Sequence, residues 1–203
     1  MRKIPLLLLA LILVASADTV TLQPDPTVGK DTYVYEEYPS DNYGTADVLY
    51  FGAFPGQSAA SFIEFTDLND AQYQGATVNS AFLYIYGYSI SASGQYLIGP
   101  CNAAWDEMTI TWNTMVGVHE TNPPAYPSAA GWMMYGVSGW VQNWLDGTWN
   151  NNGFAIFDND GMGHIYAHSS DYSDTSLRPY LYLDYTTAGS LDESTWGHIK
   201  AGF

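Results

Sequence analysis

Histidine and tyrosine alternate along one short segment of the chain. His164, Tyr166 and His168 are two residues apart, so in a β-strand all three side chains project from the same face. An imidazole or a phenol can act as a general base on a bound polysaccharide, provided that a cation neutralises the sugar carboxylate. These residues, together with His119 and Tyr172, are therefore candidates for a polysaccharide lyase site. The two histidines of the segment also form a weak pattern for a transition-metal site.

Tyrosines at the same spacing occupy two further segments. In residues 82–88 the aromatic side chains alternate with Leu83 and Ile85, and in residues 180–183 two tyrosines alternate with two leucines. We expect the aliphatic side to face the core and the tyrosine side to face outward, where rings can stack on sugars or pack against a protein partner. The alternative is that loops or a helix cover the rings. The predicted ligand-binding residues are Tyr84, Tyr86, Tyr88, Tyr166, His168, Tyr180 and Tyr182.

Acidic residues cluster in the last third of the chain. The segment Asp158–Gly161, Asp-Asn-Asp-Gly, is similar to the start of an oxygen-rich calcium loop, and two further aspartates follow it. Calcium takes about 6–8 oxygen ligands, mainly carboxylates and carbonyls. A solvated acidic turn is the alternative to a metal site. The predicted calcium ligands are Asp158, Asp160, Asp171 and Asp174.

The elements that must position these residues are short strands separated by turn signals. Aromatic and β-branched runs are bounded by Gly, Pro, Asn and Asp, which is typical of an all-β protein, here an antiparallel β-sandwich of jelly-roll type. One short helix is expected after Ser138, which is placed to cap it, with Val141, Trp144 and Leu145 on one apolar side. Prolines in residues 117–131 indicate a loop. The predicted strands are residues 31–36, 47–51, 58–65, 78–88, 95–98, 108–112, 153–157, 164–169 and 180–185.

The start of the chain predicts export. Arg2 and Lys3 precede an apolar run from Leu6 to Val14, and Ala15-Ser16-Ala17 provides small residues for cleavage. The run is shorter than the roughly 20 residues of a membrane-spanning helix, so no membrane insertion is expected. The sequence thus divides into a signal peptide (1–17), a sandwich domain (18–186) and a linker with a short tail (187–203) that includes Trp196–Phe203. The predicted location is extracellular or at the cell surface.

Charge and cysteine content narrow the classes of partner. The net charge is −16, and because Arg2 and Lys3 lie in the predicted signal peptide, the rest of the chain carries −18. Nucleic acid binding needs many Lys and Arg contacts to phosphates, which this chain does not have. Anionic polysaccharides and lipids are disfavoured for the same reason. Cys101 is the single cysteine, so the chain has no internal disulfide, and we expect this side chain to be buried.

Several motifs occur in an order that resembles the DNRLRE domain, an extracellular jelly roll related to carbohydrate-binding modules. They include Trp105–Trp112 (Trp-Asp-Glu-Met-Thr-Ile-Thr-Trp), Gly136–Gly147 and Arg178–Leu181 (Arg-Pro-Tyr-Leu). The resemblance spans about residues 31–186 and implies a β-jelly roll in a secreted surface protein, some relatives of which recognise acidic polysaccharide such as alginate. Where relatives commonly carry basic residues, this chain has Glu64 and Asp171, which favours a neutral glycan instead.

Most of the motif residues are expected to serve the fold. Large aromatic side chains dominate sandwich cores, Glu107 and Thr111 can hydrogen-bond loop backbone, and Arg178 is expected to pair with an aspartate. The function predicted from all these observations is a secreted, non-catalytic module that binds carbohydrate or a cell-surface component. A self-assembling surface or matrix protein is the alternative, and a polysaccharide-degrading enzyme is the third. The predicted structural residues are Trp105, Glu107, Thr111, Trp112, Trp144, Arg178 and Pro179.

Overall fold

Antiparallel strands make up most of the regular structure. The computed structural model describes residues 16–24, 29–54, 57–91 and 94–187. The strands are β1 (Ser16–Leu22), β2 (Lys30–Tyr35), β3 (Val48–Phe54), β4 (Gln57–Glu64), β5 (Thr77–Ile90), β6 (Tyr96–Pro100), β7 (Gly131–Gly136), β8 (Phe154–Asp158), β9 (His164–His168) and β10 (Tyr180–Thr187). One α-helix, α1 (Ser138–Leu145), and 3-10 turns at Thr66–Asn69, Trp112–Thr114 and Thr175–Leu177 complete the fold. None of these helices is long and apolar enough to cross a lipid bilayer.

The strands form one curled sheet in the order β1-β10-β5-β9-β3-β4-β8-β6, with β2 also paired to β4 and β7 also paired to β5. Every pair is antiparallel, and β5 is long enough to pair with β10, β7 and β9. The curled sheet folds over on itself and encloses a core, which is the all-β sandwich of jelly-roll type that the sequence predicts. Only Ser16 and Ala17 of the predicted signal peptide and Thr187 of the predicted linker and tail are among the described residues, so those bounds stay predictions.

The main core lies between the two layers of the sandwich. Strand β5 contributes Ala81, Leu83 and Ile85 to it, all fully buried, whereas the residues between them are half-buried and face outward. This is the alternation that the sequence predicts for the strand, with the aliphatic side chains inside. Helix α1 closes the core with Trp140, Val141, Trp144 and Leu145. Gly147 follows the helix with a φ of 75°, a left-handed conformation that favours glycine after a helix end.

A second, smaller cluster covers the outer side of β4 and β8, and we call it the covered face. Phe62 of β4 and Ala155 of β8 point away from the main core because side chains alternate along a strand. The segment from residue 101 to residue 118 lies over them, so that β4 is buried on both sides from Ala59 to Glu64. The covered face consists of Val34, Ala60, Phe62, Cys101, Trp105, Ile110 and Ala155.

The structure differs from the predicted elements in a few places. Residues 108–112 form a turn instead of a strand, because the Asp106 carboxylate accepts from the N–H of Met108 and its carbonyl accepts from the N–H of Ile110. Strands β1 and β7 have no counterpart in the prediction. The predicted cap of α1 is wrong, since the Ser138 hydroxyl accepts from the N–H of Ala81 on β5 instead of from its own helix.

Candidate functional site

The outward-facing side chains of β5, β9 and β10 meet in a continuous layer of aromatic rings, which we call the aromatic face. Neighbouring rings contact one another across strands β2, β3, β5, β7, β9 and β10 and the loops beside them, with centroid distances between 3.5 and 6.5 Å. Cross-strand register brings together side chains that are far apart in the sequence. The aromatic face consists of Tyr33, Tyr35, Tyr38, Tyr43, Tyr50, Tyr84, Tyr86, Tyr88, Trp132, His164, Tyr166, His168, Tyr172 and Tyr180.

The centre of the aromatic face is a pair of stacked tyrosines. Tyr50 of β3 lies opposite Tyr166 of β9 in the strand register, and their rings stack at 4.6 Å with an interplanar angle of 13°. Tyr88 of β5 continues the layer at 6.2 Å from Tyr166. The Tyr88 side chain is 44% exposed and Tyr50 only 6%, so the layer rises from the sheet surface toward solvent.

His168 is held flat between tyrosine rings. It stacks on Tyr172 at 3.5 Å and on Tyr88 at 4.7 Å, and only 8% of the residue is exposed. Burial lowers the pKa of His168, while the negative charges of Asp47 and Asp174 act in the opposite direction. At neutral pH the imidazole is therefore an uncharged member of the ring layer.

Trp132 anchors the other end of the aromatic face. Its indole contacts Tyr86 at 5.4 Å and Tyr180 at 5.1 Å, and Tyr180 in turn stacks on Tyr84 at 4.6 Å. Trp132 belongs to β7, which lies beside β5 with Trp132 opposite Tyr86. The indole is 41% exposed and so presents a large aromatic surface to solvent.

Tyrosines of β2 and of the loop that follows it form the end of the aromatic face opposite Trp132. Tyr33 and Tyr35 contact Tyr50 edge-on, and Tyr43 stacks on Tyr33 at 4.2 Å. The Tyr35 hydroxyl donates to Glu37. Burial raises the pKa of Tyr33 and of Tyr50 to about 12 each, so both phenols keep their protons across the physiological range.

The charged groups around the aromatic face are acidic. Asp47 lies close enough to raise the pKa of Tyr88, after the larger effect of burial. The described ranges contain two basic residues. Lys30 pairs with Glu64 at 2.5 Å and lies over the Trp105 ring, away from the aromatic face. Arg178 donates from Nε to the carbonyl of Tyr172, a residue of the aromatic face, at 2.6 Å.

The structure brings together most of the residues predicted to bind ligand. Tyr84, Tyr86, Tyr88, Tyr166, His168 and Tyr180 all belong to the aromatic face. Tyr182 points to the same side of β10 but lies further along the strand, opposite Phe82, beyond the ring network. Sequence reasoning missed Tyr33, Tyr35, Tyr50 and Trp132. Only the strand register shows that β3 lies beside β9 and β7 beside β5, and the β2 tyrosines join the aromatic face through their contacts with Tyr50.

The acidic residues predicted to bind calcium do not form one site. Asp158 ends β8 and accepts from the N–H of Gly161, and Asp160 lies in the turn before β9 and accepts from the N–H of Met162, whereas Asp171 and Asp174 follow the end of β9. The Asp174 carboxylate caps the 3-10 turn at Thr175–Leu177 by accepting from the N–H and hydroxyl of Ser176. The described residues contain no group of three or more His, Cys, Asp or Glu that could hold a metal ion.

Most of the predicted structural residues lie in the places expected of them. Trp105 and Trp144 are buried, Pro179 is buried, and Trp112 is half-buried beside the covered face. Glu107 accepts from the N–H of Asp31 at 2.9 Å, and the Thr111 N–H donates to the Thr114 hydroxyl. The sequence predicts that Arg178 pairs with an aspartate: its charge lowers the pKa of Asp171 against the larger effect of burial, but no salt bridge joins the two in the described structure, where the Arg178 Nε donates to the Tyr172 carbonyl.

The enzyme candidates are divided between two regions. His164, Tyr166, His168 and Tyr172 are part of the aromatic face, whereas His119 stacks on Trp149 at 4.3 Å outside it. An apolar cleft of about 320 Å³ opens beside the covered face, between the outer side of β4 and β8 and the loop from Trp112 to Val118. Its lining is mainly hydrophobic, which suits an apolar ligand better than a sugar.

The chain matches the sequence model of one known protein family. The sequence model of carbohydrate-binding module family 96 matches residues 23–185, which include every residue of the aromatic face. Because the match spans most of the chain, the chain belongs to carbohydrate-binding module family 96. The resemblance to the DNRLRE domain is not confirmed by this match and stays a prediction. No curated protein matches the chain.

Proposed function

We propose that this member of carbohydrate-binding module family 96 is a secreted, non-catalytic module that binds an uncharged glycan along the aromatic face. The observation that carries the proposal is the unbroken series of ring contacts from Tyr38 through Tyr50, Tyr166 and Tyr88 to Trp132. Sugar rings have apolar faces that stack on aromatic side chains. A layer that crosses several strands offers such contacts to successive residues of an extended glycan.

The charge distribution supports an uncharged ligand. A uronate chain would place carboxylates next to Asp47, Glu37 and Asp174, which lie around the aromatic face. Like charges repel, and the two basic residues of the described ranges already have protein partners, Glu64 for Lys30 and the Tyr172 carbonyl for Arg178. Neutral sugars have no such repulsion, and they can donate hydroxyl hydrogen bonds to these carboxylates.

The packing of the aromatic face supports binding over catalysis. Burial raises the pKa values of Tyr33 and Tyr50, so these two phenols stay protonated and are unsuited to act as general bases. His168 is packed between Tyr88 and Tyr172, and this leaves its ring little exposed to a reacting sugar. These contacts hold rings in place and are well suited to a rigid stacking surface.

Export is proposed from the sequence alone. The basic start, the apolar run from Leu6 to Val14 and the small residues up to Ala17 have the order of a signal peptide. Mass spectrometry of the chain recovered from the medium of an exporting host tests this point. An N-terminus at Asp18 is expected, and retention of the full chain inside the cells would contradict it.

Affinity electrophoresis tests glycan binding directly. Gels that contain a neutral β-glucan, mannan or xylan are compared with gels that contain alginate, and we expect retardation by at least one neutral polymer and not by alginate. Tyr88→Ala should weaken the retardation because it removes an exposed ring from the layer. Met108→Ala, at a position in the segment over the covered face that is also exposed, is the control and should leave the retardation unchanged. Retardation by alginate alone, or by no polymer, would refute the proposal.

Self-assembly is a second candidate because large apolar side chains are exposed together at one end of the aromatic face. Tyr126, Trp132 and Met134 are 64%, 41% and 57% exposed. Exposed apolar groups of this size mark binding surfaces for proteins as well as for ligands. Analytical ultracentrifugation separates the two functions: a dimer that dissociates in Trp132→Ala would favour assembly, and a monomer at all concentrations would favour glycan binding.

A further inference from the structure

A groove continues the aromatic face at Trp132. It lies between β7 and the segment that precedes it, has a volume of about 390 Å³, and is lined by Tyr126, Ser128, Trp132 and Met134 among others. Trp132 belongs to both surfaces, since its indole also contacts Tyr86 and Tyr180. A ligand on the aromatic face can therefore extend into the groove without leaving the protein surface.

The far wall of the groove is held in place. Ala125 donates to the Tyr96 carbonyl at 2.9 Å and accepts from the Tyr96 N–H at 3.0 Å, which ties this loop to β6. Asn122 donates to the carbonyl of Gly136 at the end of β7. Pro127 restricts the backbone between these ties and β7. The groove is therefore formed before any ligand arrives.

The groove offers both apolar and hydrogen-bonding groups, and none of them is charged. Strand β7 pairs with β5 along one edge, and among the described strands none pairs with its other edge. In an antiparallel pair, alternate residues direct their N–H and C=O groups away from the partner, so β7 offers hydrogen-bonding groups beside the Tyr126 ring and the Ser128 hydroxyl. No charged side chain lines the groove. One sugar unit fits this arrangement, because its apolar face can stack on the Tyr126 ring while its hydroxyl groups bond to the backbone of β7.

We propose that this groove binds a single uncharged sugar that branches from a glycan main chain lying on the aromatic face. The inference rests on the proposed function, since the main chain must first occupy the rings. It makes the module selective for branched over linear neutral glycans. Tyr126, which is 64% exposed and lies outside the ring network, is the residue that gives this selectivity.

Matched oligosaccharide pairs test the inference by isothermal titration calorimetry. The probes are cello-oligosaccharides against xyloglucan oligosaccharides, and manno-oligosaccharides against galactomanno-oligosaccharides, with equal main-chain lengths within each pair. In at least one pair we expect the branched member to bind roughly tenfold more tightly, as one additional aromatic contact with hydrogen bonds would provide. Tyr126→Ala should remove the difference and leave affinity for the linear member unchanged. Met108→Ala should preserve both affinities.

The outcomes separate this inference from the function on which it rests. Binding of linear members with no gain from branches would overturn the groove and leave the aromatic face as the site. The same holds if Tyr126→Ala weakens linear and branched members equally, because the ring would then contact the main chain. If no member of either pair binds, the inference fails, and the proposed binding of uncharged glycans fails with it only if no neutral polymer retards the protein in affinity electrophoresis.

Discussion

The covered face and the aromatic face, two outer surfaces of the curled sheet, differ in what lies over them. Over β4 and β8, the segment from residue 101 to residue 118 packs Trp105 and Ile110 onto Phe62, and the result is a second core. Over β5 and β9, rings lie side by side and Tyr88 and Trp132 remain more than two-fifths exposed. Aromatic residues therefore have two roles in one fold. Under a covering segment they stabilise the structure, and without one they form a surface that can bind a ligand.

Trp105→Ala should have the largest effect, because it removes the centre of the covered face. The indole is 8% exposed, contacts Phe62 at 5.6 Å, and donates from Nε1 to the Asn152 carbonyl at 2.8 Å. Loss of a buried tryptophan costs about 3–5 kcal/mol of unfolding free energy. Urea denaturation measures the change. A loss below about 1 kcal/mol would show that the covering segment does not stabilise the fold.

The unfolding free energy should also depend on pH through Asp31, at the start of β2. Burial raises the pKa of Asp31 to about 7, although two hydrogen bonds from Ser170 lower it and the charges of Glu107 and Asp171 raise it. Below about pH 4 the carboxyl is protonated in both states. Between there and about pH 7 the folded protein keeps the proton that the unfolded chain loses, so stability falls as pH rises, by on the order of 4 kcal/mol.

Asp31→Asn provides the control for that pH dependence. The amide keeps a carbonyl that can accept from the Ser170 hydroxyl but has no proton to lose in this range. Denaturation curves at pH 5 and pH 8 should therefore differ less in the variant than in the parent protein. Equal differences in the two proteins would assign the pH dependence to other groups.

Trp132→Ala should separate binding from stability on the aromatic face. Because the indole is 41% exposed, its loss should lower the unfolding free energy by less than about 1 kcal/mol. Affinity for a neutral glycan should fall roughly tenfold, about 1.4 kcal/mol. Calorimetry and thermal unfolding on the same sample give both values. A large loss of stability with unchanged affinity would make this face a structural surface like the covered one.

Arg178→Gln should have a smaller effect on the same face, because this residue acts through another side chain. Its Nε donates to the Tyr172 carbonyl, and Tyr172 stacks on His168. Without that bond Tyr172 is less well positioned, and we expect about 1 kcal/mol less stability and roughly twofold weaker glycan binding. Binding that is entirely unaffected would show that Tyr172 needs no support from Arg178.

The sequence predicts strands well where apolar and polar or aromatic side chains alternate because only one side of the strand is buried. Strand β5 has fully buried Leu83 and Ile85 between half-buried Tyr84 and Tyr86, as its pattern predicts. The prediction fails at residues 108–112, where an alternating pattern of similar quality forms a turn around Asp106. The side chain and carbonyl of that aspartate capture nearby backbone N–H groups, a local competition that periodicity does not reveal.

The candidate site could be predicted only within each strand. Spacing of two identifies Tyr84, Tyr86 and Tyr88, and also Tyr166 with His168, because one strand presents them together. The stack of Tyr50 on Tyr166 and the contact of Trp132 with Tyr180 depend on which strands are neighbours and in what register. That information comes from the packing of the whole chain. For the same reason the aspartates near residues 158 and 171 looked like one cluster but lie at opposite ends of β9.

The most direct test of the two-face account follows the tryptophan indole N–H signals by NMR while a neutral glycan is added. Trp132→Phe and Trp105→Phe assign the two signals that matter. The account predicts that the Trp132 signal shifts with glycan concentration and that the Trp105 signal, whose N–H donates to Asn152 under the covering segment, stays in place. A shift of the Trp105 signal with Trp132 unmoved would contradict it, because the ligand would then bind at the covered face.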